Sequence, residues 1–191
     1  MAATVNIEVW TGGSSGSVGT KTDVSNFRFR TDDSPDTIDT TNPIPIPDSG
    51  LNRSFWVHLA MNWSGTYDEI SNIRFYTDGS LDYDAGTDGA VQLGNRDSGD
   101  LGCPEDDYEP ATGTEGTSGD DLGDTHDYYS GQSTPETDAF GFTSDSPATI
   151  DSSTYTTDGS SYAAVVQLDV DTDASAGIQS NETYTFLYDE I

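Results

Sequence analysis

Cations are nearly absent from this chain. Its 191 residues include one lysine, Lys21, and five arginines, set against 27 aspartates and eight glutamates, for a formal net charge of -29. That shortage argues against direct nucleic-acid binding, because phosphate contacts need Lys and Arg donors. Cysteine is as scarce: Cys103 stands alone, so no intrachain disulfide can form. Long apolar runs are also missing. None approaches the ~18 residues of a membrane-spanning helix, so no membrane partner is expected. The opening Met-Ala-Ala-Thr-Val-Asn-Ile-Glu-Val-Trp lacks the basic and apolar regions of a secretion signal, which points to assembly in the cytoplasm. The sequons at Asn52, Asn62 and Asn181 then read as chance occurrences in a Ser/Thr/Asn-rich chain.

The acid that is present runs from Glu8 to Glu190 instead of gathering in a tail. A block of like charge at one end reads as a disordered tail; acid in every segment reads as a coat. In ordinary buffer such a coat repels itself and weakens the compact state. At molar salt the Debye length falls to about 3 Å and the repulsion is screened. The expected solvent is therefore very salty, with Na, K, Mg or Ca as screening or structural cations and no other cofactor. Apolar residues make up only 32%, yet three Trp, ten Tyr and seven Phe remain, enough to argue for a folded core.

Period-2 alternation dominates the chain. Strands are expected at Thr4–Trp10, with Val5, Ile7 and Val9 on one side, and at Val24–Arg30, with Phe27 and Phe29 inward and Arg28 and Arg30 outward. Ser54–Trp63 alternates Phe55, Val57, Leu59, Met61 and Trp63 against Trp56, His58, Ala60 and Asn62. Further strands are expected at Glu69–Thr77, with a bulge near Ser71-Asn72, and at Ala90–Leu93, Phe140–Thr143, Tyr162–Val170 and Thr183–Tyr188. Gly, Asp, Ser and Pro clusters separate them, including Thr11–Gly19 and Asp78–Gly89. The Asn42–Asp48 run, with three prolines, reads as an extended crossing and not a central strand. Short alternating strands at this spacing predict one all-β domain over residues 1–191, an antiparallel β-sandwich of jelly-roll or immunoglobulin-like type. Residues 94–139 are expected to be a long Gly/Asp-rich acidic loop insertion. Loops beyond ~12–15 residues are usually functional or disordered, and this one reads as a contact arm or exposed crown. The alternative is a loop packed on its own sandwich through Tyr108, Leu122, Tyr128 and Tyr129.

Catalytic and metal motifs are hard to find. Asp82–Gly89 resembles part of a calcium loop, but positions five and twelve hold Gly86 and Leu93, so the match fails. Asp169, Asp171 and Asp173 line one side of a strand end, where a solvated acidic edge is the simpler reading over a cation site. His58 and His126 are isolated from each other in sequence, which does not make a metal site. Cys103 has no basic neighbour in sequence, and no Gly-x-Ser-x-Gly elbow is present. A glycosidase needs two placed carboxylates, and a chain with 35 singles out no pair. No catalytic or cofactor-binding residue is assigned, any metal ligand is unknown, and the chain is expected not to be an enzyme.

Two stretches carry a resemblance. Asn42-Pro-Ile-Pro-Ile-Pro-Asp-Ser-Gly-Leu-Asn-Arg-Ser-Phe-Trp56 followed by Asn72-Ile-Arg-Phe-Tyr-Thr-Asp-Gly79, and the ending Thr183-Tyr-Thr-Phe-Leu-Tyr-Asp-Glu-Ile191, resemble small β-rich structural proteins of tailed viruses. The acid coat in turn resembles proteins of halophilic archaea and their viruses. These motifs are structural and carry no site residues across; residues 94–139 lie outside them. The resemblance implies a virion protein of a haloarchaeal tailed virus: a capsid decoration, cement or turret subunit. Its partners would be copies of itself and other virion proteins such as the major capsid protein. One alternative is a tail or baseplate protein touching the host surface through Trp56, Trp63, Tyr128 and Tyr129. Another is a haloarchaeal carbohydrate-binding module or hydrolase with an aromatic platform.

Overall fold

A computed structural model of the chain describes residues 2–177 and 179–191. In chain order the strands are β1 (Ala3–Ser14), β2 (Ser17–Val24), β3 (Asn52–Arg53), β4 (Val57–Gly65), β5 (Ile70–Tyr76), β6 (Ala90–Gly94), β7 (Gly113–Thr114), β8 (Ser118–Gly119), β9 (Glu136–Asp138), β10 (Ala148–Tyr155), β11 (Gly159–Ser160), β12 (Ala164–Val170) and β13 (Thr185–Glu190). All pair antiparallel. The large sheet runs β2-β1-β4-β12-β6-β9, with the short β11 pairing β4 and β3 pairing β12 off this path. The small sheet runs β10-β5-β13.

Alternation decides which face each side chain covers. From the large sheet Val9, Val57, Leu59, Val91, Leu93, Ala164, Val166 and Leu168 point inward and meet Phe75, Ala148 and Ile150 of the small sheet. At one end Met61 and Trp63 pack on Ile70 and Ile73. The two layers form the all-β sandwich that the alternation predicts. The predicted bulge also lies where expected: Asn72 takes a left-handed φ of 54°, and the β5–β13 register slips between Leu187 and Asp189.

Several local expectations are corrected. Thr11–Gly19 is not an open loop but the end of a hairpin, in which Gly13 pairs Val18 and Ser14 pairs Ser17. Residues 26–30 form no strand. Phe27 and Phe29 still pack on the core, edge to face at 5.4 Å. Arg30 does not point outward: it is 4% exposed, because Asp32 takes its Nε and Nη2 at 2.7 and 2.8 Å and Asp39 its Nη1 at 2.6 Å. Ala139–Gly141 is a 3-10 turn, not the start of a strand. The missing strand lies just beyond it, as β10.

Residues 94–139 depart from the expected contact arm and follow the alternative, a loop packed on its own sandwich. Far from projecting as an arm, this segment covers the outer face of the large sheet. Four of its apolar side chains, Cys103, Tyr108, Leu122 and Tyr129, are each 0% exposed, seated on Trp10, Trp56, Ala60, Ala163 and Val165. The central strands are thus buried on both faces; every residue of β12 is buried. Gly94 is needed for this: a Cβ there would lie 2.5 Å from Cε2 and 2.8 Å from Cε1 of the Tyr129 ring. Gln167 ties the cover down. Its side-chain amide donates to the carbonyls of Ser54 and Asp120, both at 2.7 Å, and its oxygen accepts from Leu122 N at 2.9 Å.

Candidate functional site: a buried histidine–cysteine cluster

Strand β4 and the residue before it present Trp56, His58 and Ala60 to the covering segment. Two turns of that segment supply the other members of a cluster. Cys103 bridges antiparallel to Ala163, through Cys103 N to Ala163 O and Ala163 N to Cys103 O, both 2.8 Å. His126 follows a single helical turn, α1 (Leu122–Thr125), whose first amides, those of Gly123 and Asp124, are capped by the Asp121 carboxylate. The outcome is that His58, Cys103 and His126 offer ligand atoms all within 4.8 Å of one another, in the interior. Both histidines and the single thiol of the chain meet at one point.

The two imidazoles touch through Nε2, 3.2 Å apart. His126 Nδ1 accepts from Tyr128 N at 3.3 Å, which leaves its proton on Nε2. His126 Nε2 therefore donates to His58 Nε2, an assignment made from the bonding network. Burial, then the neighbouring His126, holds His58 neutral well below the usual imidazole range; burial pulls His126 down to about 4. The Cys103 sulfur faces the carbonyls of Asp107 at 3.2 Å and Pro104 at 3.4 Å. Burial, with the charges of Asp107 and Glu109, pushes the thiol up. A protonated, enclosed thiol is not a nucleophile.

An aromatic box closes the cluster. Tyr108 lies 4.6 Å from the His58 ring and Tyr129 5.0 Å from His126; Trp56 and Trp10 complete it. The polar tips of the box are committed elsewhere: Tyr108 to Gly12 O, Tyr129 to Leu101 O, Trp56 to Glu109 O and Trp10 to Glu8. None of these four tips bonds to the facing Nε2 atoms or to the sulfur.

A second cluster forms where β3 and β12 meet the cover. Arg53 on β3 pairs Asp121 at 2.6 Å. Its Nε lies 3.4 Å from Asp169 Oδ1, but the pair does not align as a hydrogen bond, and both atoms are unpartnered, as is Glu136 Oε2. Burial, and then Asp121 and Asp169, raises Glu136 to about 7; burial raises Asp169 to about 6.

The expected acidic edge divides. Asp169 lies within this buried cluster, 2% exposed. Asp171 and Asp173 instead anchor the 82–89 loop, accepting Asp88 N at 3.2 Å and Thr87 N at 2.8 Å. The aromatic residues expected to touch a host surface are mostly interior. Trp56 is 2% exposed, Trp63 1% and Tyr129 0%, and Tyr128 is half-buried under Arg96 at 4.2 Å. Sequence reasoning placed none of the histidine–cysteine contacts, because the three residues lie 23 or more positions apart. The available signal was scarcity: in a chain with two His and one Cys, all three fall beside large aromatics, Trp56, Tyr108 and Tyr128-Tyr129. Comparison with family models, curated proteins and solved structures finds no match for the chain.

Proposed function

We propose that the chain is a structural subunit of the particle of a tailed virus infecting haloarchaea, placed on the capsid surface as a decoration, cement or turret subunit. One observation supports a scaffold over an enzyme: the side chains best suited to chemistry, both imidazoles and the thiol, are turned inward, while the outer surface is given to carboxylates. A surface depression of 560 Å³ lies over the cover; Ser15, Arg96, Asp106, Asp107, Glu109, Asp127 and Tyr128 are among its lining residues, and Ser15 Oγ donates to the Glu109 carboxylate there, but neither histidine nor the thiol lines it.

Such a subunit would act by binding folded neighbours, its own copies and the major capsid protein, and so stabilise the shell by mass action. Contacts between anionic surfaces need screening, so assembly should loosen as salt falls. The tail and sugar-binding alternatives lose most of the aromatic residues that recommended them, since Trp56, Trp63 and Tyr129 are interior. Mass spectrometry of particles separated into heads and tails at high salt tests the assignment. Enrichment with heads is expected. Enrichment with tails transfers the role to the tail, and absence from both fractions refutes a virion role.

A further inference from the structure

We propose that His58, Cys103 and His126 form a binding site for a borderline-to-soft transition cation, with zinc the first candidate, that pins the 94–139 segment to the large sheet. The inference is independent of the virion assignment. It rests first on convergence. The chain owns two imidazoles and one thiol, and three separate segments bring all of them within 4.8 Å in the interior. Nothing in the packing of a dry core asks for that set; Ala, Val or Leu fills such space without polar atoms.

Spacing agrees. Zinc holds imidazole nitrogens at about 2.0–2.1 Å in tetrahedral geometry, which places two of them about 3.3 Å apart. The Nε2 atoms stand 3.2 Å apart. The donor set also suits the proposed solvent. Hard Na, K, Mg and Ca prefer oxygen, and most of the 35 carboxylates offer it outside the core. Two nitrogens and a sulfur select instead for zinc or copper. One ligand comes from β4 and two from the cover, so a bound cation would cross-link the layers.

The proton balance is definite. A divalent cation takes the Cys103 sulfur as thiolate, and the thiol proton leaves for solvent, one per cation. The His126 proton moves from Nε2 to Nδ1, freeing Nε2 to ligate. Tyr128 N, now facing an N–H at 3.3 Å, must turn away. The Asp107 and Pro104 carbonyls lose the thiol hydrogen that they accept. Without metal, the same atoms are satisfied as a His–His hydrogen bond and a protonated thiol, so the site has two self-consistent states.

The test uses full-length protein at molar salt, loaded with Co²⁺ both when folded and during refolding, since the site is enclosed. One Co²⁺ per chain with a thiolate-to-cobalt charge-transfer band, bleached by Zn²⁺, is expected. His126→Gln should weaken binding beyond the roughly 10–100-fold that loss of an outer-sphere partner costs, and Cys103→Ser should abolish the band. Cobalt held by surface carboxylates would show no such band. Should Cys103→Ser not fold, X-ray absorption of the zinc-loaded wild type decides alone: one sulfur at about 2.3 Å and nitrogens near 2.0 Å are expected. No thiolate band under either loading, an oxygen-only shell, or a band that persists in Cys103→Ser would each overturn the proposal.

Discussion

Replacing Gln167 by Met tests whether the covering segment is part of the fold's stability or only rests on it. Met is close to Gln in length and volume, so the change removes polar atoms without opening a large cavity. Gln167 is fully buried and joins three main-chain groups: Ser54 O on the sheet side, and Asp120 O and Leu122 N on the cover. After substitution one N–H and two carbonyls are left in a closed interior. Each unpartnered buried group costs about 1–3 kcal/mol. Partial relaxation and the apolar gain of Met offset some of that sum, leaving about 3–5 kcal/mol. For a chain of 150–250 residues, each kcal/mol lowers the melting temperature by about 2–4 °C. The expected drop is therefore about 6–20 °C at molar salt, read by circular dichroism. Hydrogen exchange should show faster loss of the Leu122, Cys103 and Ala163 amides than of the inner β1–β4 ladder. A drop below about 2 °C, with those amides still protected, would refute the view that Gln167 fastens the cover.

Gly94→Ala should destabilise by about 1–3 kcal/mol, because the new methyl group meets the rigid, buried Tyr129 ring; urea midpoints measure it. Glu136→Gln isolates a titration. The folded carboxyl sits near 7, above its unfolded value, so the fold is penalised by its charge at alkaline pH and relieved as pH falls. The variant should thus be more stable than wild type by about 1–2 kcal/mol at pH 8, after allowing for solvent screening of a half-exposed group, with the gain gone near pH 4.5. A gain that persists at acid pH would show that packing, not charge, was responsible. Lowering salt from molar to about 0.1 M, where the Debye length grows from about 3 to 10 Å, should reduce the melting temperature, and added neutral osmolyte should not replace the salt.

The inner face of the sandwich was legible because its strands alternate: Val5-Ile7-Val9, Leu59-Met61-Trp63 and Val166-Leu168-Val170 each cover one side. The outer face was less so. Trp56, His58 and Ala60 look like a solvent-side set when β4 is read alone, although the unbroken burial of β12 follows from a sequence, Ala-Val-Val-Gln-Leu-Asp-Val, too apolar for a half-exposed strand. Polar edges hid other elements. β2 contains Gly19, Thr20 and Lys21 and has no inward stripe to betray it; β10 carries only Ile150 and the terminal Tyr155 as large apolar residues among Thr, Asp and Ser. Asp151 in β10 is buried because it accepts from Ser153 N, Tyr155 OH and Tyr162 N, a set of partners that no local pattern announces. The histidine–cysteine cluster depends on three long-range placements and was out of reach.

Many of the aspartates also serve as main-chain acceptors, a role that suits Asp better than Glu. Asp39, Asp78, Asp121, Asp138 and Asp151 each accept the main-chain N–H two residues on, a bond the shorter carboxylate reaches and glutamate does not. Others span loops: Asp97 accepts from Ser133 N, Asp100 from Ser152 N and Asp173 from Thr87 N. The side-chain and main-chain donors of Ser133 hold Asp97 below the usual carboxylate range, and those of Thr87 do the same for Asp173. Charges fixed by such bonds cannot swing apart to relieve their repulsion, which leaves screening by added salt as the expected relief. Charge and bonding separate in paired variants. Asp97→Asn keeps an acceptor for Ser133 but drops the charge, and should match or exceed wild type at low salt. Asp97→Ala removes the acceptor and should loosen the 97–133 contact at every salt concentration, seen as faster exchange of the Ser133 amide. Equal behaviour of the two variants across the salt range would mean that this aspartate contributes charge alone.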